Sequence, residues 1–209
     1  VMYADDFTTM LVNPRGEPWL NYETQYIVSR SLENGVWGER NIVLDGTVMK
    51  TVGDITDYSR DGMPVFDQLS DGTYVLVVEG TYRRTPDRGD NPFFIMLSYS
   101  KDGINWSTPV EVFVPQGTKS KASAPYVCVT SDDRLVISFQ TDEDSVAAGT
   151  GIGDGVSIMK TIISDGTPVD KLTKDNFYEA QNVFDIPPGG VSSWNGMYMV
   201  DDVLYCVSG

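Results

Sequence analysis

The chain contains no histidine. That absence rules out Ser–His–Asp nucleophiles, histidine metal sites and histidine acid–base catalysis. Carboxylates and tyrosines remain as the main groups able to move protons. Cysteine is scarce: Cys128 and Cys206 sit in apolar, strand-like contexts (YVCVT and LYCVS). They read as buried thiols or as a disulfide between neighbouring sheets, a choice that geometry must make. Basic residues are also few, with 15 Lys and Arg against 30 Asp and Glu, for a formal net charge of −15. Such a balance argues against nucleic acid or an anionic membrane as partner, since both reward a basic face. No run of ~18 apolar residues is present, so no membrane-spanning helix is expected. Gly149–Gly155 lacks the Lys-Ser/Thr of a phosphate loop and reads as a mobile loop. Asp142-Glu143-Asp144 reads as pocket lining or plain solvated acid, with an oxygen-rich calcium site as the alternative. No cofactor and no metal are implied.

What is there is a repeated phrase. A short apolar strand runs into a polar turn and a second apolar strand runs out, at Thr8–Tyr22, Pro64–Val78, Pro125–Phe139 and Asn195–Val207. The turns centre on Arg15-Gly16, Asp71-Gly72, Asp132-Asp133 and Asp201-Asp202. Repeats of about 60 residues, each holding several short strands, indicate a β-propeller or a related β-array. Asp-Gly predicts a tight hairpin with positive φ at both central residues, and the other turns are weaker versions. The runs TYVLVV (73–78) and RLVISF (134–139) are near-continuously apolar, as strands covered on both faces require. Asp170–Tyr178 predicts the one short helix, and Pro187–Gly190 a connecting loop. The expected fold is therefore all-β: a propeller of four-stranded antiparallel blades. Residues 1–209 form a single domain covering about four blades of a five- or six-bladed ring, with a self-closed four-bladed ring as the alternative. The chain opens abruptly at Val1, so an upstream segment is expected to be absent.

A second feature follows Phe93–Ser98. Ser100-Lys101-Asp102-Gly103-Ile104-Asn105-Trp106 places a Ser and an Asp where they can accept backbone N–H groups inside a tight turn. Gly103 supplies the unusual φ, and Trp106 packs beneath. This resembles the Asp-box of BNR-repeat sialidases and related glycosidases. A worn copy, Ser31–Trp37 (SLENGVW), lies in the first repeat. Tyr58-Ser59-Arg60-Asp61-Gly62-Met63-Pro64 followed by LSDGTYVLVVEGT is similar to a segment of sialidase-superfamily glycosidases, with exo-arabinanases and BNR-repeat proteins carrying the nearest versions. Ser123–Asp144 resembles the next blade of that family, and Ser193-Trp194-Asn195-Gly196-Met197 its last blade. The resemblance implies a secreted, periplasmic or cell-surface protein acting on a glycan.

In a propeller, pocket residues lie at the start of each innermost strand and at the matching end of the next strand out. Those places hold Asp5, Asp6, Glu23, Arg60, Asp61, Met63, Glu79, Gln140, Asp142, Trp194 and Asn195. Glycoside hydrolysis by the usual route needs two carboxylates. Glu79 ends the apolar run Tyr74–Val78, where burial would keep it protonated as a general acid. The family's catalytic glutamate falls at this position too. The bland reading is a solvated Glu at a strand exit, or one paired with Arg60 or Arg83. The resemblance places the second carboxylate ahead of the first inner strand, as Glu in a Trp-Glu-Pro context. Here Ala4-Asp5-Asp6-Phe7 stands in its place, with Asp6 the nearest match and Glu23 the local alternative. Arg60 sits where an arginine would grip a substrate carboxylate through two parallel hydrogen bonds. Trp194 stacks on a sugar or fills the core. Three classes follow: an exo-acting glycosidase on an arabinan-like or sialoside-like glycan, a non-catalytic carbohydrate-binding propeller, and a structural or protein-binding propeller.

Overall fold

The structure is a computed structural model. It describes the backbone of residues 2–7, 24–44, 59–82, 93–116, 121–143, 158–183 and 196–207, and the side chains of 27–44, 63–80, 93–116, 121–143, 158–183 and 196–206. The chain is all-β with antiparallel sheets. The first sheet joins β1 (Met2–Phe7), β2 (Thr24–Ser29) and β5 (Asn41–Leu44), with a hairpin of β3 (Leu32–Glu33) and β4 (Val36–Trp37) between the last two. The second runs β6 (Ser59–Gln68), β7 (Tyr74–Tyr82), β8 (Phe93–Ser100) and β9 (Val110–Phe113). The third runs β10 (Ala122–Val129), β11 (Leu135–Thr141), β12 (Ile158–Ile163) and β13 (Gln181–Asn182), and the fourth pairs β14 (Gly196–Val200) with β15 (Val203–Val207). The two central sheets are thus four-stranded meanders in chain order, as the repeat predicts. Among the described residues no closed ring of blades is seen.

Alternation along β7 explains how the sheets stack. Leu76 and Val78 pack with Ile27, Leu44, Phe94 and Met96, between the first and second sheets. Val75 and Val77 point the other way, into the cluster of Ile95, Ala122, Leu135, Ile137 and Phe139 between the second and third. All four β7 side chains are fully buried, each contributing ~1.5–3 kcal/mol of apolar transfer free energy. This is why TYVLVV reads as continuous rather than alternating. A smaller cluster of Cys128, Met159 and Met197 joins the third and fourth sheets. The first strands β6 and β10 lie side by side, with β1 against β6 and β14 against β10.

The turns differ in detail from expectation. At Asp71-Gly72 only Gly72 has positive φ (87°). Leu69 N–H donates to Thr73 O at 2.8 Å and Gly72 N–H to Leu69 O at 2.9 Å, the pattern of a type I turn closed by a left-handed residue. The Asp71 carboxylate accepts from the Thr73 N–H and hydroxyl, which holds Asp71 in the first, negative-φ part of the turn. Asp132-Asp133 repeats the arrangement with Asp133 left-handed at 60°, and of the three described repeat turns only Asp201-Asp202 has both residues at positive φ (50° and 58°). The turn expected at Arg15-Gly16 lies outside the described residues. The helix expected at Asp170–Tyr178 is replaced by two single 3-10 turns, Val169–Lys171 and Lys174–Asn176. Leu172 between them is extended (φ −65°, ψ 137°) and buried in the main core. Thr173 is extended too and caps the second turn; seating Leu172 breaks the helix.

Neighbouring turns are clamped to each other. Asp133 accepts from the Ser70 N–H at 2.7 Å and from its hydroxyl at 2.5 Å. Asp202 accepts from the Ser131 N–H at 2.7 Å and from the Ser131 hydroxyl. Each serine thus bonds forward to the left-handed aspartate of the next sheet's turn. The Ser131 hydroxyl, then its N–H, hold the Asp202 carboxyl below its ordinary range. A depressed folded-state pKa gives stability that is present above the unfolded value of ~4 and is lost as pH falls through the folded one. Asp202→Asn should therefore melt below the wild type at neutral pH, with the gap closing below about pH 4. Thermal melts across that range measure it, and a gap constant with pH would contradict the assignment.

Candidate functional site

The site is built on a distortion that occurs twice. In β6, Gly62 pairs with Glu79 of β7 and pairing resumes at Val65–Val77, leaving Met63 and Pro64 as a bulge. In β10, Ser123 pairs with Gln140 of β11 and pairing resumes at Tyr126–Ser138, leaving Ala124 and Pro125. Met63 and Ala124 both adopt left-handed φ (47° and 49°). Non-glycine residues rarely do so, and a residue before proline normally favours extended backbone. Strained bulges of this kind cluster at functional sites. Glu79 and Gln140 occupy equivalent places in successive sheets, each opposite the residue that precedes the bulge.

Glu79 is 7 % exposed. It shares a face of β7 with Val75 and Val77, turned toward the third sheet. The left-handed turn at Ala124 directs its N–H to Glu79 Oε2 at 3.2 Å. The carboxylate is therefore held between two sheets by backbone, which excludes the bland reading of a solvated strand exit. Gln140 is 4 % exposed, and its Nε2 has no hydrogen-bond partner. Asp142 is fully buried and accepts the Lys121 N–H through Oδ1 at 2.7 Å, tying the start of β10 to the exit of β11. That burial removes plain solvation, one of the readings of Asp142.

The other sequence-derived candidates stand as follows. Asp5 and Asp6 lie within β1, paired with Tyr26 and Gln25. β1 begins at Met2, so they sit inside the first strand rather than ahead of it. Arg60 and Asp61 lie on β6 just before the bulge, paired with Thr81 and Gly80. The side chains of these four residues lie outside the described set, as do Glu23, Arg83, Asp144, Trp194 and Asn195 altogether. The structure brings Glu79 and the Ala124 bulge together and sets Gln140 at the matching register position.

Sequence reasoning missed Lys160. Its Nζ lies 2.9 Å from Glu143 Oε1, with side chains 9 % and 10 % exposed. Glu143 Oε2 also accepts the Gln116 N–H at 2.9 Å, so the pair ties the segment after β9 to the third sheet. The available signal was a single charged residue inside the mostly apolar IMKTII.

The Ser-x-Asp turn lies at the other end of the second sheet, since Ser100 pairs with Tyr74 whereas Glu79 pairs with Ile95. Asp102 Oδ1 accepts the N–H groups of Ile104 and Asn105 at 2.8 and 2.7 Å. Ser100 Oγ accepts the Gly103 N–H at 2.8 Å, and Trp106 Nε1 donates to Gly103 O at 3.2 Å. The bonds from Asn105 first, then from Ile104 and Ser100, hold the Asp102 carboxyl well below the usual range. Trp106 packs on the cluster between the first two sheets. Asp102 is structural, as its residue types predict. The worn copy behaves differently: Asn34 and Gly35 form a tight turn with φ of 51° and 79°, and Trp37 is 47 % exposed.

Both cysteines are free. Burial, with the Asp67 charge and Cys206 adding to it, pushes the Cys128 thiol up to about 11. Since the thiolate is the reactive form, Cys128 should label with an alkylating reagent at about pH 8 only as fast as the protein opens, and Cys206 sooner. Immediate labelling of both in the folded protein would contradict this placement.

Among the described residues, no helix is long and apolar enough to cross a membrane, and no group of three or more metal-ligating acids or thiols is found. No family model matches the chain, and no curated protein matches it. Solved structures do. The exo-β-1,3-galactanase 1,3Gal43A from Clostridium thermocellum is 19 % identical, over 69 % of this chain and 31 % of that one, with a TM-score of 0.46. An α-L-arabinofuranosidase from Lactobacillus brevis is 15 % identical, over 71 % of this chain and 43 % of that one, with a TM-score of 0.48. A protein of unknown function from Dyadobacter fermentans is 15 % identical, over 87 % of this chain and 63 % of that one, with a TM-score of 0.34. This chain therefore spans less than two thirds of the length of each.

Proposed function

We propose that this chain is part of a sialidase-like propeller of five or six blades, and that it acts on glycan chain ends as a secreted or cell-surface glycoside hydrolase. The observation that carries the reading is Glu79: a shielded carboxyl within a core strand, opposite the residue that precedes one strained bulge and bonded to the N–H of another. Acid–base cleavage of a glycosidic bond needs such a group to protonate the leaving oxygen. In this proposal Glu79 is the general acid/base, and Asp6 or Glu23 supplies the second carboxylate. Arg60, Asp61, Trp194 and Asn195 contact the sugar from the starts of the inner strands. Asp142 positions the start of β10 through Lys121. The absence of histidine fits a carboxylate-only mechanism.

One observation favours a second reading, a propeller that binds glycan without cleaving it. The place equivalent to Glu79 in the third sheet holds Gln140, which cannot ionise. Assay of the whole protein on nitrophenyl glycosides and arabino-oligosaccharides separates the two. Hydrolysis supports the enzyme, binding without hydrolysis supports the lectin-like protein, and neither activity overturns both.

A further inference from the structure

Gln140 presents an amide nitrogen that the fold itself does not use. It is paired in the ladder with Ser123 and Met159 and shares a face of β11 with Val136 and Ser138. It is almost fully buried, yet Nε2 has no acceptor. A buried amide donor without a partner is destabilising, and native proteins keep few of them. The equivalent residue one sheet earlier, Glu79, accepts a bond from the next sheet's bulge. A glutamine has what Glu79 lacks, two N–H donors that carry no charge and do not titrate.

We propose that Gln140 is a specificity-determining contact whose Nε2 donates to a hydroxyl or ring oxygen of a bound glycan, while the equivalent carboxyl in the second sheet handles the proton. This rests on the glycan-acting reading above and adds to it a neutral donor at a defined place, where the β11 exit meets the β10 bulge. A ligand supplying an acceptor satisfies the amide; an analogue lacking that oxygen leaves it unpaired and is rejected. The absence of charge also means that this contact does not change with pH, unlike one made by a carboxylate.

The test uses the whole protein, with arabinotriose and nitrophenyl glycosides as probes. Gln140→Met keeps the length and bulk of the side chain and removes both donors. It is expected to bind the best probe about tenfold more weakly, and to melt no lower than the wild type without sugar, because an unpaired polar group has been removed. In the wild type, the 15N side-chain amide of Gln140 should shift and gain exchange protection when the probe saturates. Equal affinity of wild type and variant, or an amide signal unmoved by saturating probe, overturns the inference and leaves the glycan reading standing. A melting temperature lower by more than ~5 °C also overturns it, since the amide would then have a structural partner. Failure of the wild type to bind any probe overturns the glycan reading, and this inference with it.

Discussion

Glu79→Gln is expected to lower turnover by ~10²–10⁴ while leaving glycan binding and stability nearly unchanged. The loss corresponds to about 3–5 kcal/mol of transition-state stabilisation. The substitution replaces one carboxyl oxygen by an amide nitrogen and keeps the size of the side chain. The remaining oxygen can still accept the Ala124 N–H that now reaches Oε2 at 3.2 Å. The fold already holds a buried glutamine at the same register position of the next sheet, so the local backbone tolerates it. On the proposed glycosidase mechanism, what disappears is the transferable proton. Steady-state kinetics on the best nitrophenyl glycoside, with affinity measured by titration, separates the two effects. A kcat within threefold of the wild type would remove Glu79 from the mechanism. A wild type that binds sugar but never cleaves it would make the substitution silent and favour the lectin-like reading.

Lys160→Met is expected to cost ~3–5 kcal/mol of folding stability. The Lys160–Glu143 pair is 2.9 Å long, with both side chains about nine-tenths shielded. Removing the cation leaves the Glu143 carboxylate shielded from water without its counter-charge, and Glu143 also holds the Gln116 N–H. The damage should therefore spread to the junction of the second and third sheets. There Phe113 and Phe139 pack with ring centroids 4.1 Å apart. Pairing Lys160→Met with Glu143→Leu should recover much of the loss, because the unpaired charge goes with it. High salt should weaken the wild-type pair little, unlike an exposed pair. Chemical denaturation of the two single variants and the double variant measures the coupling. A cost below ~1 kcal/mol for Lys160→Met would place the pair with ordinary surface ion pairs.

The sequence by itself determined those features whose forces act within a few residues. The hairpins around Asp71-Gly72, Asp132-Asp133 and Asp201-Asp202 follow from apolar runs and turn residues, and the Ser100–Trp106 turn folds as its residue types dictate, because the bonds made by Ser100, Asp102 and Trp106 within it span three residues or fewer. Burial of both faces of β7 was legible for the same reason: an uninterrupted TYVLVV leaves no polar face for water. Glu79 stood out as a carboxyl closing that run. What holds it was not legible. The bond from Ala124 crosses 45 residues, the clamp of Ser131 on Asp202 crosses 71, and the charge on Lys160 is met by Glu143 from the turn after β11. Those depend on how one sheet lies on the next and on the register of each pair. A single left-handed residue changes both, and Met63 and Ala124 stand before prolines, where sequence favours extended backbone. The short helix expected at Asp170–Tyr178 shows the same limit, since local propensity gave way to the burial of Leu172 in a core built from other sheets. Hydrogen bonds closed locally are decided by residue chemistry alone, whereas a site shared between sheets exists only once tertiary packing has set the distance between its halves.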